Sequence, residues 1–305
     1  FLTAGYHDID IGFYEGGGGN GLIVDWQGPG FGFQNLPNTV LENFDYSDTD
    51  NAINLTVSST IDARGATVNL GAITMGTGAT LSTTAGIVNF TQTNLPGAGT
   101  FAYDNAGSLN TGQINDAGSA VIINKAGAGN LTLNGANPQL TNAANVINVT
   151  GGRLVAVGGA NNPLGSSTIN LNGGSLGLSS SNGAANFDNP INVLQSTSID
   201  AANFGGGAID GQTSQINSAL TVAAGQTLTA ESSHGYTLRF GNSVSGAGGL
   251  LVDGGTVEAV GGVSVNSLVI DGGSLRAANS VASTTGTAVN LAGTLVVGNG
   301  TLTGG

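Results

Sequence analysis

Two aspartates, Asp253 and Asp271, each stand directly before a Gly-Gly pair, and 18 residues separate them. In a chain whose repeat is about that long they would stack in neighbouring coils. Two carboxylates so placed can share a proton or bind a divalent cation. The same position reads equally well as a turn filled by Asp in two successive repeats. No Arg or Lys lies at a matching offset to complete an acid–base pair. The densest acid group is Glu42, Asp45, Asp48 and Asp50. Hard oxygen donors at such short spacing make these four the candidate Ca²⁺ ligands, although the turn glycine and closing Glu of an EF-hand loop are missing. A solvated acidic linker accounts for them as well. The two histidines, His7 and His234, lie far apart, so neither a Ser-His-Asp triad nor a His-rich zinc site is expected. Gly16 to Gly19 precedes neither Lys-Ser/Thr nor a helix and reads as a hairpin turn, not a phosphate loop. The expectation is a chain without catalytic residues, not an enzyme, and without a cofactor other than candidate calcium.

The elements that would position such groups are short strands between glycine turns. Gly254-Gly255-Thr256-Val257 is followed by Gly272-Gly273-Ser274-Leu275 and then Ala292-Gly293-Thr294-Leu295, and Gly151-Gly152-Arg153-Leu154 by Gly173-Gly174-Ser175-Leu176. A period of about 20 residues built this way marks a solenoid. Alternation is plain in Ala66–Leu70, Gly129–Leu133, Ser167–Leu171 and Gln226–Ala230, with one apolar face and one of Thr, Ser and Asn. Val68, Leu70, Leu131, Leu133, Leu154, Leu176, Val257, Leu268, Leu275 and Leu295 are expected to point inward. Stacked Asn and Thr are expected to form side-chain ladders along the rod. The fold class is all-β: a right-handed parallel β-helix preceded by a short antiparallel β segment. Residues 1–44 form that segment, 45–51 an acidic linker, and 52–305 a β-helix of about 12 coils.

Composition narrows the function. The chain holds 54 Gly in 305 residues, with 8% charged and 5% aromatic residues. This suits a thin core of stacked Val, Ile, Leu and Ala, and the aromatics gather in residues 1–44. Five bases, Arg64, Lys125, Arg153, Arg239 and Arg276, are scattered among 18 acids, for a net charge of −13. Without a basic stripe, nucleic acid is not an expected partner. No run approaches the ~18 apolar residues of a transmembrane helix, so membrane insertion is not expected. For a secreted protein of this size, the absence of Cys points to a bacterial product. A first residue that is Phe1 rather than Met is expected to reflect processing of something longer.

Two stretches carry resemblances. Lys125-Ala126-Gly127-Ala128-Gly129-Asn130-Leu131-Thr132-Leu133-Asn134-Gly135-Ala136-Asn137, followed by Val149-Thr150-Gly151-Gly152-Arg153-Leu154-Val155-Ala156 and by Asn162 through Leu176, resembles the autotransporter-associated β-strand repeat of bacterial surface proteins. That resemblance covers residues 125–178 and implies a right-handed parallel β-helix displayed outside the cell. Ile9 through Gly30, ending Asp25-Trp26-Gln27-Gly28-Pro29-Gly30, resembles the last strands of a protective-antigen-like β-sandwich. Some members of that family bind sugars through calcium on paired aspartates, a motif missing here.

Three functions follow as expectations. The first is a secreted structural protein, joined head to tail into an extracellular filament or surface layer and partnered by itself. The second is a cell-surface adhesin stalk, with extracellular polysaccharide as a candidate partner. The third is a polysaccharide lyase or hydrolase. In the first reading Phe13, Leu22, Val24, Trp26 and Phe31 are the subunit-interface candidates, because so few strands leave them uncovered and a neighbouring copy would bury them.

Overall fold

A computed structural model describes residues 52–134, 140–158, 162–205, 208–289, 293–298 and 302–304, together with strands Asp25–Gly28 and Phe31–Asn35. The chain divides into two compact units, Phe1–Asp45 and Tyr46–Gly305. In the first, Asp25–Gly28 pairs antiparallel with Phe31–Asn35, Trp26 standing opposite Gln34. Trp26 and Phe31 thus lie on paired strands. Phe13, Leu22, Val24, Glu42, Asp45, Asp48 and Asp50 lie outside the described residues.

The second unit is a parallel β-solenoid of about 10 turns, with no helix among the described residues. Two of its sheets run through twelve strands each, end rungs included, and a third through six. Early rungs use two sheets. The third begins at Ala185–Phe187, and every later rung through Thr294–Val297 contributes to it. In the early rungs the strands Thr67–Met75, Ile87–Asn94 and Ser108–Asn115 bend instead. Their pairing runs from Leu70, Phe90 and Thr111 to Ala72, Gln92 and Gln113, skipping Gly71, Thr91 and Gly112 between.

Alternation along each strand sends one row of side chains inward. Val68, Val88, Leu109, Leu131, Leu154, Leu176 and Ile199 occupy one such column, rung above rung, and all are buried. Leu133, Val257, Leu268 and Leu275 are likewise buried. Leu70 and Leu295, near the ends of the described stack, are only partly covered while packing on the core. The core is not purely aliphatic as composition suggests. Phe90, Phe101, Tyr103, Phe187, Tyr236 and Phe240 are buried in it. A thin coil accepts a ring when the facing positions are small, and Ala185 and Gly158 serve Phe187 in this way: a Cβ on Gly158 would meet both.

Outward rows form the expected ladders. Asn148, Asn170 and Asn192 each donate an amide hydrogen to the Asn one rung below, at 2.9 to 3.0 Å from Asn124 upward, and the Thr221 hydroxyl donates to Asn192 at 2.9 Å. On the other long sheet Asn110 donates to Asn89 and Asn89 to Asn69. Corners are closed by buried polar groups. The Asp116 carboxylate accepts from the backbone of Gly118, Thr141 and Asn142 and from Asn145 Nδ2 at 2.7 Å. Asn189 Nδ2 donates to the Ser167 carbonyl at 2.7 Å. These bonds satisfy backbone groups that the sheets leave over. Glycine has a separate task at one corner: a Cβ on Gly129 would land on the Gly107 carbonyl oxygen, and Gly152, at φ +57°, would carry one against Gly129.

Candidate functional site

The most varied chemistry lies along one outward column of the longer-stranded sheet. Parallel register places Asn69, Asn89, Asn110, Thr132, Val155, Gly177, Asp200 and Glu231 on successive rungs. Asp253 and Asp271 follow, one residue beyond the paired Ala230, Val252 and Ile270. The column therefore changes from amide to apolar to acid along the rod.

The acid end contains the pair singled out in the sequence. Asp253 and Asp271 are exposed and sit on neighbouring rungs, as their spacing implies. The column extends them to four carboxylates by adding Asp200 and Glu231. Thirty-one residues separate those two, too irregular a step for a period near 20 to reveal. Arg153 lies 4.0 Å from Asp200 and is the nearest cation. Burial raises the Asp200 carboxyl above its usual value, opposed by Arg153 and His234. Burial also raises Glu231, helped by the negative charges of Asp200 and Asp253 and opposed by Arg153. Burial first and like-charge repulsion second thus favour the protonated form of Glu231. Among the described residues no group of three or more His, Cys, Asp or Glu converges as a metal site. His234 is exposed, with Nδ1 3.1 Å from the Ser233 hydroxyl.

The apolar middle is covered by the chain itself. After Ala201 the backbone leaves the sheet and Phe204 folds back over Gly177. The Phe204 amide donates to Ser179 Oγ at 3.1 Å and Ser179 Oγ donates to the Ala202 carbonyl at 2.5 Å. A Cβ on Gly177 would strike the Phe204 ring. The Arg153 guanidinium lies over the same ring, 4.8 Å from its centroid, a distance at which cation–π attraction operates. This fold-back explains why Val155 and Val157 are buried although they alternate with core residues.

The amide end opens into a groove of about 440 Å³. Asn69, Asn89, Asn110, Thr91 and Thr132 line it, and Phe204 closes it. The groove exists because the early strands bend at Gly71, Thr91 and Gly112. A Cβ on Gly112 would press on the Thr91 carbonyl oxygen at 2.5 Å. Among the described residues no ionisable side chain lines the groove. The sequence signal for it was the Asn at near-equal steps, 69, 89 and 110. The bend and the return of Phe204 carry no such signal.

No family model, curated protein or solved structure matches the chain. The parallel solenoid implied by the repeat resemblance is the architecture observed.

Proposed function

We propose that this chain is a structural rod, secreted and joined end to end into an extracellular filament or layer, as its resemblance to autotransporter-associated repeats suggests. The observation that carries the reading is the first edge of the two twelve-stranded sheets among the described residues. Ile53–Leu55 and Ser59–Ile61 end their twelve-stranded sheets and have a strand partner on one side only among the described residues. The Leu55 carbonyl accepts from Gly76 and the Ile61 carbonyl from Thr84, both toward the next rung. Backbone groups of a parallel strand alternate in direction, so the amides of Asn54 and Thr60 point off the edge. Such an edge is a template for a further strand. A repeated contact that does not close on itself produces a fibre.

The test is Asn54→Pro combined with Thr60→Pro in the full chain. Both residues are exposed, and proline removes an edge donor without touching the core. Light scattering should show the unaltered protein growing in mass with concentration, with lengthening rods in negative-stain micrographs. The double variant should stay as single rods with its melting temperature within a few degrees. An unaltered protein that stays monomeric at every concentration, or a variant that assembles equally well, overturns the reading.

A further inference from the structure

We propose that the groove beside the Asn69–Asn89–Asn110 ladder is a binding site for a neutral polysaccharide, seated along the rod axis with its end against Phe204. The groove crosses successive rungs, so its polar groups repeat at the strand spacing of ~4.8 Å. An extended polymer of small repeating units suits such a track better than a compact ligand. Asn89 spends one amide hydrogen on Asn69 and one oxygen lone pair on Asn110. An amide has two hydrogens and two lone pairs, so Asn89, in the middle, keeps one donor and one acceptor free. A row of donor–acceptor pairs matches a chain of sugar hydroxyls, each of which can give and accept. The Thr91 hydroxyl adds a further donor–acceptor on the facing side, and Phe204 supplies the apolar surface that a sugar's C–H face covers. At about 440 Å³ the volume lies within the ~300–1,000 Å³ common for ligand sites.

Charge sets the specificity. Among the described residues the groove holds no ionisable group, so none of them would repay the desolvation of a charged ligand. Beyond Phe204 the same outward column carries Asp200 and Glu231, and Asp253 and Asp271 continue it, a row that repels a polyanion running along the rod. Neutral glycans are thereby favoured over uronic-acid polymers. A peptide strand finds its natural partner in backbone edges, not in a wall of side-chain amides. Arg153 acts as a positioning residue, its guanidinium 4.8 Å from the Phe204 ring centroid.

The experiment titrates the full chain with soluble glucan, xylan, mannan and galactan, and with polygalacturonate as the charged counterpart, by calorimetry and affinity electrophoresis. At least one neutral polymer should bind, at least tenfold more tightly than polygalacturonate. Phe204→Ala and Asn89→Ala should each weaken that binding about tenfold. Because Phe204→Ala also uncovers Val155, Thr91→Trp supplies the independent test. Thr91 is exposed, and a large ring there fills the groove without entering the core. Thr91→Trp should abolish binding while leaving the melting temperature unchanged. Failure of every neutral polymer to bind, or binding that survives Thr91→Trp, overturns the proposal. Neither result bears on end-to-end assembly, which is read from mass and not from ligand.

Discussion

Leu154→Asp is expected to destabilise the solenoid by about 4–5 kcal/mol or more, the range reached only by severe core lesions. Leu154 is fully buried, stacked between Leu131 and Leu176 in the inward column. Its rung neighbours are apolar, so a carboxylate there finds neither a cation nor a donor and must be buried unpaired or protonated. A solenoid cannot spread that cost widely, because each rung rests only on the rungs beside it. The lesion should split the rod's cooperativity, with the rungs around residue 154 opening first. In a chain of this size the change corresponds to a fall of roughly 10–20 °C in melting temperature. Leu154→Met conserves volume and should cost less than ~1.5 kcal/mol. Circular dichroism melts of the two variants decide the point, and an unchanged melting temperature for Leu154→Asp would remove this column from the core.

Much of this architecture was legible because two short-range signals agreed. Alternation such as Ser167–Leu171 marks a strand with one inward face, and the Gly-Gly steps mark where the chain turns. Together they place Leu131, Leu133, Leu154, Leu176 and Leu275 inside, where they are found. The stacking of Asp253 on Asp271 followed from the same arithmetic. What alternation could not show is a second layer on the outer face. Val155, Val157 and Ser179 occupy outward positions yet are buried, because the excursion after Ala201 returns Phe204 to that face. Such a contact joins distant residues and leaves no periodic trace. The acid column was half visible for the same reason, since the excursion lengthens the step from Asp200 to Glu231. The buried rings were missed because composition averages over the chain, whereas a ring such as Phe187 needs only locally small neighbours. The amide groove depended on a bend set by where pairing skips Gly71, Thr91 and Gly112, and Asn spacing alone does not reveal a concave surface.

Lys125→Met is expected to cost about 1–3 kcal/mol, the penalty of leaving buried carbonyls without their donor. Lys125 occupies an inward position between Tyr103 and Val149 and has no exposed surface. Its stem fills the core, while its ammonium donates to the carbonyls of Ala126 at 2.6 Å and of Gly127 and Gly151 at 3.0 Å. Three donors meet three acceptors, and the last bond ties the corner of one turn to the next. Methionine keeps the volume but leaves those carbonyls without the donor that satisfies them. The charge also leaves a signature in pH. Burial pushes the Lys125 ammonium down to about 8, with Asp104 pulling the other way. An unfolded lysine keeps its proton to about 10.4. Between those values the unfolded chain binds more protons than the folded one, so this group's contribution makes stability rise with pH through that window. Neighbouring Tyr103 acts oppositely at higher pH. Its burial raises the phenol to about 12, against about 10 unfolded, so the folded state holds the extra proton and stability falls as pH climbs above 10. The unaltered protein should therefore be most resistant to denaturant near pH 10. Lys125→Met should lose the rise below that maximum and keep the fall above it. Denaturant midpoints measured from pH 7 to about 11.5 separate the two contributions. A flat profile below pH 10 in the unaltered protein, or the same rise persisting in the variant, would show that the buried ammonium is not the group responsible.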